Sequence, residues 1–332
     1  MSRPKNLLVT LPGSKMPTDL LELNTTTHKR VLKLMGNRFE FTVVGNDHKI
    51  AEQQINSAVA EVQRIEQLLT TYSDDSQTNR INSNAGLKPV AVDTEVFDLI
   101  KRSIKISGLT QGSFDITYGS IDKSLWNFDL NMSALPDPKI ALRSVALINY
   151  KNIILDSVNK TVFLKEKGMR IGFGGIGKGY AADKARQLLQ KQGVESGIVN
   201  AAGDLAAWGL QPNGKPWTVG IADPDQSTLP FSTLNISNMA IATSGSYEKY
   251  VTIGGKKYSH TIDPITGLPV SGIKSVSIIA PSAELADALA TPVMVMGVKV
   301  GLDLINQLKY VACIVIDDNN KINCSNNINI KN

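Results

Sequence analysis

The chain has 332 residues, 42% of them hydrophobic, and a formal net charge of +5. That content supports a sizeable core, in one large domain or two modest ones, and excludes a mainly disordered chain. The 35 Lys and Arg residues are scattered, with no stripe of basic and aromatic side chains, so an anionic small molecule is expected and a nucleic-acid partner is not. No apolar stretch approaches the ~20 residues of a membrane span, and residues 6–11 are too short for the core of a secretion signal. A cytoplasmic location is therefore expected, with the periplasm as the alternative if a signal was removed before residue 1. Of the two cysteines, Cys313 lies in the apolar run 311–316 and reads as a buried strand thiol.

Residues 1–29 hold Pro4, Pro12, Gly13 and Pro17 without a sustained period and read as a flexible arm, with order beginning near Val31. Residues 31–44 alternate as two strand segments around Met35-Gly36-Asn37. Ile55, Val59, Val62, Ile65 and Leu69 recur at helical spacing and mark an amphipathic helix over 50–70; Asp93 caps a second helix bearing Val96, Phe97, Ile100 and Ile104. Residues 109–120 read as irregular, and 153–164 as a hairpin. Met169-Arg170-Ile171 reads as a strand leading into glycines, after which residues 178–190 have helical spacing. Strands are expected at 197–200, 217–221, 236–242, 247–253, 275–279 and 312–316, with helices at 282–290 and 300–308. Strands and helices do not strictly alternate, which argues for a layered α+β domain over 30–318, followed by an Asn-rich tail over 319–332 that either ends in a short strand around Ile328 to Ile330 or frays.

The glycine run Gly172, Gly174, Gly175, Gly177, Gly179 is too dense for a regular element, since each interior glycine costs roughly 0.5–1 kcal/mol against alanine. At a helix start it is either a backbone cradle for phosphate, with Lys178 beside it, or a structural turn. It fits neither nucleotide motif well: Lys178 is followed by Gly179 and Tyr180, and no acid closes a following strand at the dinucleotide offset. Asp287 and Thr291 stand four apart, so a carboxylate and a hydroxyl share a helical face. Both oxygens suit Mg²⁺; alternatively Thr291 bonds back to its own helix and Asp287 is a surface acid. Pro292 is expected to end that helix at Thr291. His260, at a strand end before the turn Asp263-Pro264, is either a general base or a structural donor. His28, in the arm, and His48, beside a turn, have no ligand spacing around them. Trp126, Phe128 and Tyr72 can stack on a planar ring or fill a core. Asn200-Ala201-Ala202-Gly203-Asp204, after an apolar strand, either faces a cleft or forms a capped turn.

Taken in order, these fragments resemble the ApbE family of FAD:protein FMN transferases. The likeness rests on Met35-Gly36, Tyr72-Ser73, Asn79-Arg80-Ile81-Asn82 and Gly112-Ser113-Phe114-Asp115-Ile116-Thr117. It continues in Gly174 to Asp183, Asn200 to Asp204, Ala242-Thr243-Ser244-Gly245, Ser259-His260-Thr261-Ile262-Asp263-Pro264 and Ala286 to Thr291. The resemblance implies a T-fold-like layered α+β core holding FAD as substrate in a cleft, with Mg²⁺ at its pyrophosphate. It implies Asp287, Thr291 and a carbonyl of the glycine run, Gly175, as metal ligands, and His260, Asp287 and Lys178 as catalytic groups. Met35, Tyr72, Asp115, Gly174, Gly175, Lys178, Asp183, Asp204, Thr243, Gly245, His260 and Asp263 are then the residues around the flavin nucleotide. The implied reaction moves FMN to a threonine hydroxyl of an acceptor flavoprotein that bears a flavinylation motif, and releases AMP. Two departures stand out: Gly172-Phe173 replaces the family's Asp-Leu, which favours FAD hydrolysis as the alternative reaction, and Pro292 follows the metal threonine. A protein that binds FAD without turnover is the non-enzymatic alternative.

Overall fold

The computed structural model describes residues 6–9, 25–122, 125, 132–223, 226–245 and 250–331. The chain opens with β1 (Asn6–Val9), then the hairpin β2 (Thr26–Leu34) and β3 (Asn37–Gly45). Met35 and Gly36 form its two-residue loop with φ of 50° and 72°, the turn hand that matches strand twist. In α1 (His48–Leu69) the apolar face of Ala51, Ile55, Ala58, Val62, Ile65 and Leu69 is buried, and Asp47 accepts from the Ile50 amide as its cap. After α2 (Gln77–Ser83) and β4 (Val90–Ala91) comes α3 (Thr94–Leu109), which buries Val96, Phe97 and Ile100 as the spacing predicts. A 3-10 turn at Ile116–Ser120 and α4 (Pro138–Ser144) precede the hairpin β5 (Ile153–Asp156) and β6 (Thr161–Leu164).

Next come α5 (Gly177–Lys191), β7 (Gly197–Ala201), β8 (Asp204–Trp208) and β9 (Trp217–Asp223). They are followed by β10 (Gln226–Ile236), β11 (Met239–Gly245), and the hairpin β12 (Tyr250–Ile253) and β13 (Lys256–Ser259). The chain ends with β14 (Ile273–Ala280), α6 (Ala283–Met296), α7 (Val298–Ile305), β15 (Ala312–Asp317), β16 (Ile322–Cys324) and β17 (Ile328–Lys331). The strand expected over 236–242 is two strands, parted by a turn at Asn238 with φ of 54°.

An eight-stranded sheet, in the order β16-β15-β14-β11-β8-β7-β3-β2, is antiparallel at every pairing. One face packs on helices. Phe39, Phe41 and Val199 meet α1, α3 and α5, while Val276, Ile278, Cys313 and Val315 meet α6 and α7. The other face, with Leu205, Ile241, Ile279, Ala312 and Ile314, packs on a four-stranded sheet in the order β17-β1-β10-β9 through Trp217, Ile221 and Leu234. Period-2 alternation therefore decides which layer each side chain joins, and β14, covered on both faces, is buried throughout. The expected α+β layering is present. Cys313 is buried as expected, and Cys324 packs on the opposite face of the sheet.

Two expectations about order fail, those for the N-terminal arm and for Pro292. Residues 6–9 of the supposed arm form β1, paired in parallel with β10 and antiparallel with β17, and β2 starts at Thr26 rather than near Val31. Of the two readings of the Asn-rich tail, the strand near Ile328 to Ile330 is present as β17, and β16 is added to it, because Ile322 and Ile328 are apolar and pack into the inter-sheet core. Pro292 does not end α6, which continues to Met296. Proline removes the donor that would close on the Ala288 carbonyl, but Val293 and Met294 are buried beyond it and hold the last turn down. Trp126, Phe128 and residues 246–249 lie outside the described residues.

Helices α5 and α6 touch through Gly179. A Cβ there would stand 2.1 Å from the Ala283 carbonyl oxygen and 2.8 Å from the Asp287 Cβ, so the helices approach at backbone distance. Gly179→Ala is expected to lower stability by about 3 kcal/mol, the upper part of the usual range for overpacking, as read by denaturant unfolding. An unchanged midpoint would mean that the helices are not fixed by this contact.

Candidate active site

A cavity of ≈ 620 Å³ opens where the start of α5, the middle of α6 and the segment after β13 converge. Its lining includes Tyr72, Asp115, Gly174, Gly175, His260 and Thr291 from the expected set. Tyr72 is 99% exposed and stands at the rim; a tyrosine so uncovered is not core filling. His260 is also exposed, in the segment leaving β13. That segment is anchored by Ser259 donating its amide to Val270, by the Ile262–Pro269 bridge, and by the turn that Asp263 closes on Ile265 and Thr266. Gly267 completes the turn with φ of 73°, and its missing Cβ leaves room for the Ala141 carbonyl of α4. The aim of His260 is thus set by a loop docked on a neighbouring helix. Asp263 holds the turn and does not line the cavity.

The glycine run has no strand before it. Residues 169–173 are held by side-chain amides instead: Asn82 donates to the Ile171 carbonyl at 3.1 Å and accepts its amide at 2.8 Å. Asn79 donates to the carbonyls of Thr71 and Ser73, and so fixes the segment that bears Tyr72. Ser76 starts α2 by accepting from the Asn79 amide. None of Gly172, Gly174, Gly175, Gly177 or Gly179 adopts the left-handed region; close approach accounts for Gly179 and for Gly177, where a Cβ would stand 3.2 Å from Phe173, whereas Gly172, Gly174 and Gly175 have room for one. Its helix start is less open than expected, because the Gly177 amide donates to Phe173 and the Gly179 amide to Asp287.

Behind the cavity wall lies a charged cluster. Lys178 Nζ stands 2.8 Å from Asp204 Oδ2 and 3.5 Å from Asp287 Oδ1, and both carboxylates are buried, at 4% and 5% exposure. Burial works against the Lys178 ammonium, but Asp287 and Asp204 outweigh it and hold the group charged well above the ordinary lysine range. Asp204 is pushed the other way: burial and then Asp287 raise its carboxyl above the usual value despite Lys178. One ammonium serves two carboxyl groups, and the raised Asp204 carboxyl eases that imbalance by favouring its neutral form. Thr291 lies one turn along α6 from Asp287 and borders the cavity, and its hydroxyl is 3.0 Å from that of Ser244. Among the described residues no three His, Cys, Asp or Glu side chains gather as a metal cage.

Several expected nucleotide residues serve the frame. Asp115 lines the cavity, but its carboxylate accepts from the Thr117 amide and hydroxyl and from the Tyr150 amide, and burial raises it. Asp183 accepts from the Glu284 amide at 2.8 Å and pairs with Arg186, which ties α5 to the start of α6. Thr243 bonds Ser277 across β11 and β14, and Met35 donates its amide to Glu66. Neither they nor Gly245 lines the cavity. Arg170, which does, read in the sequence only as part of a strand; a cation two residues before the glycine run was the available signal. Asp183→Ala leaves half-buried Arg186 without its partner and the Glu284 amide without its acceptor, although Ser282 still caps α6, and is expected to cost about 3 kcal/mol of stability in chemical denaturation.

The T. pallidum FAD:protein FMN transferase is 31% identical over 291 residues, covering 82% of this chain and 80% of that protein. The Vibrio cholerae counterpart is 30% identical over 324 residues, covering 94% of this chain and 92% of its own. A crystal structure of the ApbE protein from Thermotoga maritima superposes with a TM-score of 0.79 at 30% identity, over 91% of this chain and 97% of that one. The flavin transferase ApbE from V. cholerae does so with 0.79 at 27%, over 91% and 98%. Residues 35–315 match the ApbE family, a span that takes in the cavity wall from Tyr72 to Thr291 and the charged cluster behind it, and the chain belongs to that family.

Proposed function

We propose that this protein is an FAD:protein FMN transferase that moves FMN from FAD to a threonine hydroxyl of an acceptor flavoprotein, with AMP as the other product. The observation that supports this best is the juxtaposition, on one cavity wall, of exposed His260, the Gly174-Gly175 backbone and the Thr291 hydroxyl, with Asp287 one turn behind. Tyr72 offers a face for a planar ring, and exposed Arg170 a charge for phosphate.

The donors fit Mg²⁺. They are all oxygens, the Asp287 carboxylate, the Thr291 hydroxyl and the Gly175 carbonyl, and the cluster sets two carboxyl groups against one ammonium. Mg²⁺ takes few protein ligands and completes its shell with water and phosphate oxygens, so the lack of a carboxylate cage is no obstacle. When bound, it neutralises charge that builds on the pyrophosphate. The Thr291 hydroxyl is held in place by its hydrogen bond with the Ser244 hydroxyl at 3.0 Å. His260 accepts the proton of the acceptor hydroxyl as its oxygen attacks the FMN-side phosphorus. The new phosphorus–oxygen bond forms, the bond to the AMP phosphate breaks, and AMP leaves with that electron pair.

Incubation with FAD, Mg²⁺ and an acceptor bearing the threonine motif is expected to add FMN to the acceptor, read by intact mass. FMN and AMP appearing in solution with an unmodified acceptor would identify a hydrolase instead. His260→Ala should slow transfer by ~10²–10⁴-fold while FAD affinity stays within a few-fold, and Asp287→Asn should slow it at least as much, since charge stabilisation is commonly the largest catalytic contribution. A histidine variant that loses binding and rate together would make His260 a ligand-holding residue. Tyr72→Ala is expected to weaken FAD by roughly 3–10-fold, the worth of one stacking contact, without moving the melting temperature.

A further inference from the structure

Lys178 holds a place that the reaction gives to a metal ion. It rests 3.5 Å from the carboxylate that would ligate Mg²⁺ and is held charged by both acids of the cluster. The other Asp287 oxygen accepts the Gly179 amide at 3.0 Å, so this carboxylate is fixed in place and cannot turn away from the ammonium. Asp204 opens β8 and Asp287 is one turn into α6, both on elements packed in the core, so neither backbone can retreat. Two buried carboxyl groups that meet the same ammonium are costly without that counter-charge. A side chain with a long flexible stem supplies it, and only its head has to move for the place to change hands.

We infer that Lys178 is a stand-in cation: its ammonium is the counter-charge that Asp287 shares with Asp204 in the metal-free protein, and Mg²⁺ binding displaces it from Asp287 toward Asp204 and the substrate phosphates. This rests on the proposed Mg²⁺ site and adds a claim of competition to it. Competition fixes the sign of a measurable effect. A lysine that merely helps to shape the site would, when removed, weaken the metal. One that competes for Asp287 would, when removed, strengthen it.

The test is Mg²⁺ titration of the full chain without FAD, by calorimetry and by melting temperature against Mg²⁺ concentration, for wild type, Lys178→Met and Lys178→Gln. The variants should bind Mg²⁺ at least about tenfold more tightly than wild type, because a unit charge at this distance in a buried site is worth more than that factor. They should also melt earlier than wild type without Mg²⁺ and recover most of the difference when saturated with it. Variants that unfold without Mg²⁺ and fold with it would be the same result in stronger form. Equal or weaker Mg²⁺ binding in folded variants, or variants that no Mg²⁺ concentration restores, would overturn the inference. Asp287→Asn separates this from the underlying site: if it leaves wild-type Mg²⁺ binding intact, the metal site itself is misplaced, whatever Lys178 does.

Discussion

The close packing of α5 on α6 is the constraint on which the site depends. At Gly179 the two backbones approach more nearly than any side chain would allow, and the same residue donates its amide to Asp287. That contact puts the first turn of α5, with Lys178, beside the one acidic side chain of α6 that points into the core. Asp183 repeats the device one turn later, closing its carboxylate on the Glu284 amide. Helix register, rather than loop chemistry, is what brings residues 178 and 287 together. The Asp287 carboxylate is therefore held as firmly as the helix contact that bears it, and the Lys178 head is the part of the cluster on a flexible stem.

The opposite wall is assembled by side-chain amides. Asn79 and Asn82 each take a pair of backbone groups from segments that have no strand partner, and so hold in place the extended residues that precede the glycines and the exposed ring of Tyr72. Such irregular backbone near a buried site must find partners or lose stability, and asparagine offers both donor and acceptor in one plane. A run such as Asn79-Arg80-Ile81-Asn82 therefore has a structural meaning that periodicity does not convey. Its chemistry becomes visible only when residues 171 and 82 are neighbours.

Where local pattern and tertiary packing agree, the chain was legible: α1 and α3 follow from 3.6-residue spacing, and the two faces of β14 and β15 from alternation. Legibility ends where a long-range contact overrides a local rule. Pro292 sits within a helix because buried Val293 and Met294 reward its continuation, and residues 6–9 form a strand because β10 and β17 present backbone partners far along the chain. The site residues divide on the same line. Tyr72, Gly174, Gly175, His260 and Thr291 do meet at one cavity, whereas Asp115, Asp183, Thr243 and Asp263 hold the frame. An acidic or hydroxyl residue in a recognisable fragment does not reveal whether it faces a ligand or a backbone amide. Only the partner list decides that.

Burial is graded across the site, and the grading matches the demands of transfer between a small molecule and a protein. The groups suited to the pyrophosphate, Asp287, Asp204 and Lys178, lie behind the wall, where low dielectric strengthens each charge interaction. Those suited to the acceptor and to the ring, His260 and Tyr72, stand exposed at the rim. A protein acceptor can bring its hydroxyl to a rim but cannot enter a closed cavity, so a base buried with the cluster would be out of its reach. The price of an exposed base is competition from water. Placing the imidazole on a loop pinned by Gly267 against α4, rather than on a free tip, limits the directions from which an attacking oxygen can meet it.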